Sequence, residues 1–258
     1  MEWREISGGW VYLPSTDIKG IIHFLGGAFV ATAPQISYRS FLEQVGQEGY
    51  AMIATPFLNT FDHIAIARDV LNRFETILER LYKTNSLGKS YFPIYGIGHS
   101  MGCKLHLIIG SLFEVQRAGN ILISFNNYPV RRAIPFAEQL PVDTIFDLEF
   151  TPSPTETKQI IAEEYHIRRN LLIKFRKDDI DQTTKLNPIL QQKFSDTTAL
   201  RTLPGNHLTP LSQNINWQTG DIFTPLDAIG QWFKQEFSKD LPLLQKEVLF
   251  WLNPASFL

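Results

Sequence analysis

The stretch FPIYGIGHSMGCKLHLIIG, Phe92 to Gly110, decides how the chain is read. Residues 92–98 are an apolar run of aromatic and β-branched type, bounded by a proline and a glycine, and read as a buried strand. From Met101 the run turns Leu- and Ile-rich and reads as a helix that continues to about residue 115. Between them stands Gly98-His99-Ser100-Met101-Gly102, the G-x-S-x-G pattern. A serine hydroxyl is a weak nucleophile and needs a neighbouring base and an exposed perch. A sharp strand-to-helix turn supplies the perch, and glycines on either side let strand and helix pass close together. The bare pattern arises by chance in about one chain in ten of this length. The flanking strand and helix therefore carry the argument, and Ser100 is the expected nucleophile.

Outward from this elbow, short apolar runs alternate with longer periodic segments. Strands are expected at 9–14, 20–25, 50–56, 120–125, 171–175 and 199–203. Helices are expected at 37–49, 62–82, 185–194 and within 226–252. That alternation predicts a mostly parallel central sheet flanked by helices. It lapses between Tyr128 and Arg169, where five prolines interrupt it. The expectation is one α/β domain over 1–258, with a cap insertion at 128–169 after the sixth core strand. Within the insertion, Ser153-Pro154-Thr155-Glu156 reads as a capped helix start.

Composition narrows the function classes. The chain has 258 residues, 44% hydrophobic and 19% charged, with a formal net charge of -2. A sizeable core is available, and no basic run is dense enough for nucleic acid. The single cysteine, Cys103, excludes an internal disulfide and a cysteine-built zinc site, and suits a reducing, cytoplasmic compartment. No metal-ligand spacing, P-loop or dinucleotide fingerprint is found, so no cofactor is expected. No apolar run is long enough to span a membrane, and the start shows no secretory pattern.

A base and an acid should follow later strands in the order Ser, Asp, His. Of six histidines, His207 fits best, in the turn-rich LPGNHLTP after the strand at 199–203. His23, His106 and His166 sit in a strand, a helix and the insertion. His99 belongs to the elbow itself, with its ring expected to point away from the serine. Asp178, Asp179 and Asp181 all follow the strand at 171–175. The strand-to-acid offset ranks Asp178 first, then Asp179, then Asp181. After the strand at 120–125 stand Asn126 and Asn127, so no carboxylate competes there. Met101 N–H and an amide of the Leu25-Gly26-Gly27-Ala28-Phe29 loop should form the oxyanion hole, Gly27 first and Ala28 next. Ala28, Phe29, His99, Asp62 and His63 are grouped as substrate-binding candidates, although an Asp-His pair opening a helix equally fits capping. Phe136, Ile145, Phe146, Leu148 and Phe150 are candidates to line an apolar pocket under the cap.

The segments GGAFVATAPQISYRSFLE, YAMIATPFLNTFDHIAIAR, YGIGHSMGCKLHL, NLLIKFRKDDIDQT and LPGNHLTPLS resemble an uncharacterised α/β-hydrolase-like family of photosynthetic lineages, a domain of unknown function. The resemblance runs from about Gly20 to Ser212. It implies the α/β-hydrolase fold and puts Ser100, His207 and Asp178 at triad positions. It implies no substrate. Leu25-Gly26 replaces the His-Gly pair common before the oxyanion loop, and no Gly opens the acid turn.

Three functions follow from this reading. The first is a serine hydrolase acting on a small apolar ester, thioester or acyl-lipid. The second is an acyltransferase using the same triad. The third is a non-catalytic protein that binds a ligand or partner on this fold.

Overall fold

A computed structural model describes residues 2–88, 91–130, 149–212 and 239–253. Among the described residues eight strands form one sheet: β1 (Arg4–Ile6), β2 (Gly9–Tyr12), β3 (Gly20–Leu25), β4 (Tyr50–Ala54), β5 (Ile94–His99), β6 (Gly119–Ile123), β7 (Asn170–Lys177) and β8 (Thr198–Asn206). Their order is β1-β2-β4-β3-β5-β6-β7-β8. β1 and β2 pair antiparallel, as do β2 and β4, and every other pairing is parallel.

The interior strands are buried along almost their whole length because both faces are covered. In β3 all six residues are buried. Ile22 and Phe24 point to one face, where α2 (Arg39–Gln47) and α7 (Leu241–Leu252) pack through Phe41, Leu42, Leu244 and Val248. On the other face, Ile21 with Ile53 meets α3 (His63–Lys83) through Phe74 and Ile77. Leu122 and Leu172 meet α4 (Met101–Leu112), α5 (Pro154–Glu164) and α6 (Thr183–Phe194).

Several elements depart from the expected bounds. The helix expected at 37–49 is broken at Tyr38 into α1 (Pro34–Ser37) and α2. The break turns the fully buried Tyr38 ring inward against Phe24. β1 was not expected, since three residues are too few to show a period. β8 runs past the expected 203 because a register shift between Phe175 and Lys177 lets Asn206 pair with Lys177.

The stretch expected as a cap, 128–169, does follow the sixth strand, but its described part is not uniform. Residues 131–148 lie outside the described residues, so Phe136, Ile145, Phe146 and Leu148 do too. α5 has the expected capping box between Ser153 and Glu156. It belongs to the helical layer, packed with α4 and α6 through Ile161. Of the C-terminal helical expectation, α7 is described and 226–238 is not.

Candidate active site

All parallel strands end at one edge of the sheet, and the nucleophile turn stands there between β5 and α4. Ser100 adopts φ 55° and ψ −117°, a region that costs a non-glycine residue on the order of 1–3 kcal/mol. Packing enforces it. A Cβ on Gly98 would lie 2.6 Å from the backbone of Gly102 and Cys103, and one on Gly102 would lie 2.1 Å from Leu25 O. Neither neighbour is a flexible side chain that could yield. The Ser100 N–H donates to Ile123 O at 2.9 Å, which ties the turn to β6. The positive end of the α4 dipole lies directly behind the serine.

His207 follows β8 immediately. Gly205, at φ +113°, lets the chain turn, and Asn206 N–H donates to Thr209 Oγ1 at 2.9 Å. His207 Nδ1 lies 2.8 Å from Asp178 Oδ2, and Nε2 lies 3.0 Å from Ser100 Oγ. Burial pushes the Asp178 carboxyl upward, but its neighbours, His207 first among them, together hold it below its ordinary value. An ionised Asp178 accepts, so Nδ1 carries the proton and Nε2 offers a lone pair to the serine hydroxyl.

The three aspartates are thereby sorted. The Asp178 side chain is 0% exposed against His207. Asp179 is exposed. Asp181 accepts from Thr183 N–H at 2.7 Å at the start of α6, and burial raises its carboxyl.

The loop after β3 corrects one expectation. Gly27 N–H donates to the Tyr38 hydroxyl at 2.7 Å, so it is not available to an oxyanion. Among the described residues, the N–H groups of Ala28 and Met101 have no backbone acceptor. Ala28, the second choice, therefore has the freer N–H of the two.

His99 also departs from expectation. It is buried, with Nδ1 2.8 Å from Tyr38 Oη and Nε2 2.9 Å from the His207 carbonyl. Burial and the neighbouring His207 lower it to about 3. With both nitrogens engaged it has no polar atom left for a substrate. Tyr38 was missed as a site residue because helical spacing counts it only as an apolar position. The polar tip on a fully buried aromatic is the available signal.

Asp62 is committed elsewhere, whereas both ring nitrogens of the buried His63 have no hydrogen-bond partner among the described residues. Asp62 caps α3, accepting from Ala65 N–H at 2.8 Å. The His63 ring stacks on Phe150 at 4.3 Å, and its backbone N–H donates to Thr151 O at 2.7 Å. Phe150 is itself buried between His63 and Phe61, so it packs the foot of the insertion. Lys104 completes this foot by donating to Pro152 O at 3.0 Å. Burial lowers the Lys104 ammonium to about 7, against the pull of Glu149 and Glu156. Ala28 and Phe29 remain partly exposed on the loop after β3. Among the described residues no three His, Cys, Asp or Glu side chains converge as metal ligands, and no helix is long and apolar enough to cross a membrane.

Residues 2–254 match the family described as "Protein of unknown function (DUF1350)". No curated protein matches the sequence. Among solved structures, an S-formylglutathione hydrolase from Staphylococcus aureus is similar at TM-score 0.55 and 13% identity, covering 95% of this chain and 90% of that one. An esterase from Pyrococcus furiosus is similar at TM-score 0.54 and 16% identity, over 77% and 78% of the two chains. Carboxyl esterase 2 from the mycorrhizal fungus Tuber melanosporum gives 0.53 and 20%, over 89% and 82%. At such identities the likeness is one of fold. The chain has the α/β-hydrolase fold, with its long excursion after the sixth strand.

Proposed function

The chain belongs to the DUF1350 family, and we propose that it is a serine hydrolase that cleaves an ester or thioester through an acyl-enzyme on Ser100. One observation carries this reading: an unbroken hydrogen-bond line from Ser100 Oγ through His207 to Asp178, ending on a serine in a strained elbow.

In the first step Ser100 Oγ attacks the acyl carbonyl carbon while its proton passes to His207 Nε2. Asp178 holds the ring and stabilises the imidazolium. The carbonyl oxygen becomes an oxyanion, facing Met101 N–H and Ala28 N–H, where each donor is worth about 2.7–4 kcal/mol of barrier. Collapse expels the alcohol or thiol, which takes the proton from His207. Water then enters, gives a proton to His207 and attacks the acyl-enzyme, releasing the acid and restoring Ser100 Oγ–H.

The segment between β6 and α5 is the proposed cover of the acyl pocket, since α5 itself packs in the helical layer. A small apolar ester or acyl-lipid is the proposed substrate class, in a reducing, cytoplasmic setting. The test is a fluorophosphonate probe on the folded protein, followed by peptide mapping. An adduct on Ser100 is expected, lost in His207→Ala. No adduct in the wild type sinks the hydrolase reading and leaves a binding protein.

A further inference from the structure

Three hydrogen bonds beside the proposed triad form a chain with one possible direction. The His207 carbonyl can only accept, so His99 Nε2 carries the proton and donates across 2.9 Å. Nδ1 is then bare and accepts, so the Tyr38 O–H donates to it across 2.8 Å. The Tyr38 oxygen in turn accepts the Gly27 N–H across 2.7 Å. Every donor and acceptor in the chain is used once, and all of it is buried. Burial keeps the His99 ring neutral at any physiological pH, so the direction does not switch.

The chain joins two loops that the sheet keeps apart. Gly27 follows β3 in the middle of the sheet, whereas His207 follows β8, its edge strand. Among the described residues β8 pairs on one side only, with β7. The His207 ring must nevertheless meet Ser100 Oγ, which follows β5, three positions inward in the strand order. The His99 ring spans that gap and also packs on the His207 ring, centroids 4.9 Å apart.

We infer that His99 and Tyr38 are positioning residues that tether the backbone of His207 to the loop after β3, so that its imidazole meets Ser100. This rests on the proposed roles of Ser100 and His207. It gives the residue before the nucleophile a task distinct from substrate binding.

The test uses His99→Leu, which removes both ring contacts, His99→Gln, which keeps an N–H for the His207 carbonyl, and Tyr38→Phe. On an activated ester, His99→Leu should lower kcat by about 10²-fold with little change in KM, the scale of a misplaced catalytic group. His99→Gln should recover part of that loss, and Tyr38→Phe should fall between wild type and His99→Leu. A folded His99→Leu with wild-type kcat overturns the inference. So does a faster Tyr38→Phe, which would mean that the tyrosine masks a Gly27 oxyanion donor.

A second arm needs no turnover and serves even if a leucine variant fails to fold. With ¹⁵N-labelled histidine, the His99 ring should show a protonated Nε2 and a bare Nδ1, unchanged from about pH 5 to 8. The His207 ring signals should move in Tyr38→Phe. A His99 that is protonated on Nδ1, or His207 signals identical in both proteins, overturns the tether. Failure of the Ser100 adduct removes the hydrolase reading alone, since these signals still judge the tether.

Discussion

Two groups of buried polar side chains lie on the same sheet, and they differ in where along an element each sits. His23 is in the interior of β3 and His106 in the interior of α4. Their rings meet edge to face at 5.2 Å. His23 Nε2 pairs with Thr55 Oγ1 at 2.8 Å, its Nδ1 lies 3.3 Å from Arg117, and His106 Nε2 faces Ile97 O. Burial lowers both histidines, and the Arg117 guanidinium, 4.5 Å from the centre of the Phe74 ring, lowers them further. They are neutral packing groups. His207, Ser100 and Asp178 instead follow the ends of β8, β5 and β7, where a side chain leaves the pleat and can be aimed. A histidine inside an element, as His23 and His106 are, is held as scaffold, whereas one that follows a strand, as His207 does, can be aimed.

The contrast can be broken most sharply at the strand ends. His207→Ala and Ser100→Ala should each lower turnover of a p-nitrophenyl acylate by ~10⁶-fold, with thermal melts little changed. Equal loss in His23→Leu, measured per folded molecule, would erase the distinction between the two groups.

Next comes the acid. Asp178→Asn keeps the shape but favours the wrong imidazole tautomer, and should cost about 10⁴-fold in kcat. Asp179→Asn, at an exposed position, should stay near wild type. Asp181→Asn keeps an oxygen for the Thr183 N–H and should retain most activity. Inactivity of either neighbour with an active Asp178→Asn would reverse the assignment.

The interior group should respond in stability alone. His23→Leu leaves Thr55 without its partner and Arg117 facing apolar surface, a loss of about 1–3 kcal/mol. Denaturant midpoints should fall while kcat of the folded fraction holds. A fall in kcat would couple the two groups.

At the foot of the insertion the effect is expected in stability alone, and only as a dependence on pH. The folded value of Lys104, about 7, lies below the ordinary lysine value of about 10.4. Between these values the unfolded chain holds more protons than the folded one, so raising pH stabilises the wild type. Below about pH 7 the buried ammonium carries its full desolvation cost. Lys104→Met should therefore gain most relative to wild type in acid, and the gain should shrink as pH rises through that window. Melts across pH check the sign, and a gain that grows with pH would refute it.

The strands, the elbow and the order Ser, Asp, His were legible in the sequence because each depends on near neighbours. Apolar runs declare buried strands, Gly98 and Gly102 declare a tight crossing, and Ser153 with Glu156 declares a helix start. The strand offset favoured Asp178, yet three carboxylates within four positions are chemically alike along a chain. Only the fold puts Asp178 against His207 and sends Asp181 to the start of α6. The fold alone also decided that Tyr38 takes the Gly27 N–H, leaving Ala28 as the freer donor, and that His99 reaches the His207 carbonyl. Asp62 and His63 lie beside each other in sequence, yet the cap of α3 takes the Asp62 carboxylate while the His63 ring stacks on Phe150. Periodicity and local turns encode which elements form. A hydrogen bond between residues 61 or 108 positions apart depends on how two loops meet in space, and nothing along the chain records that meeting.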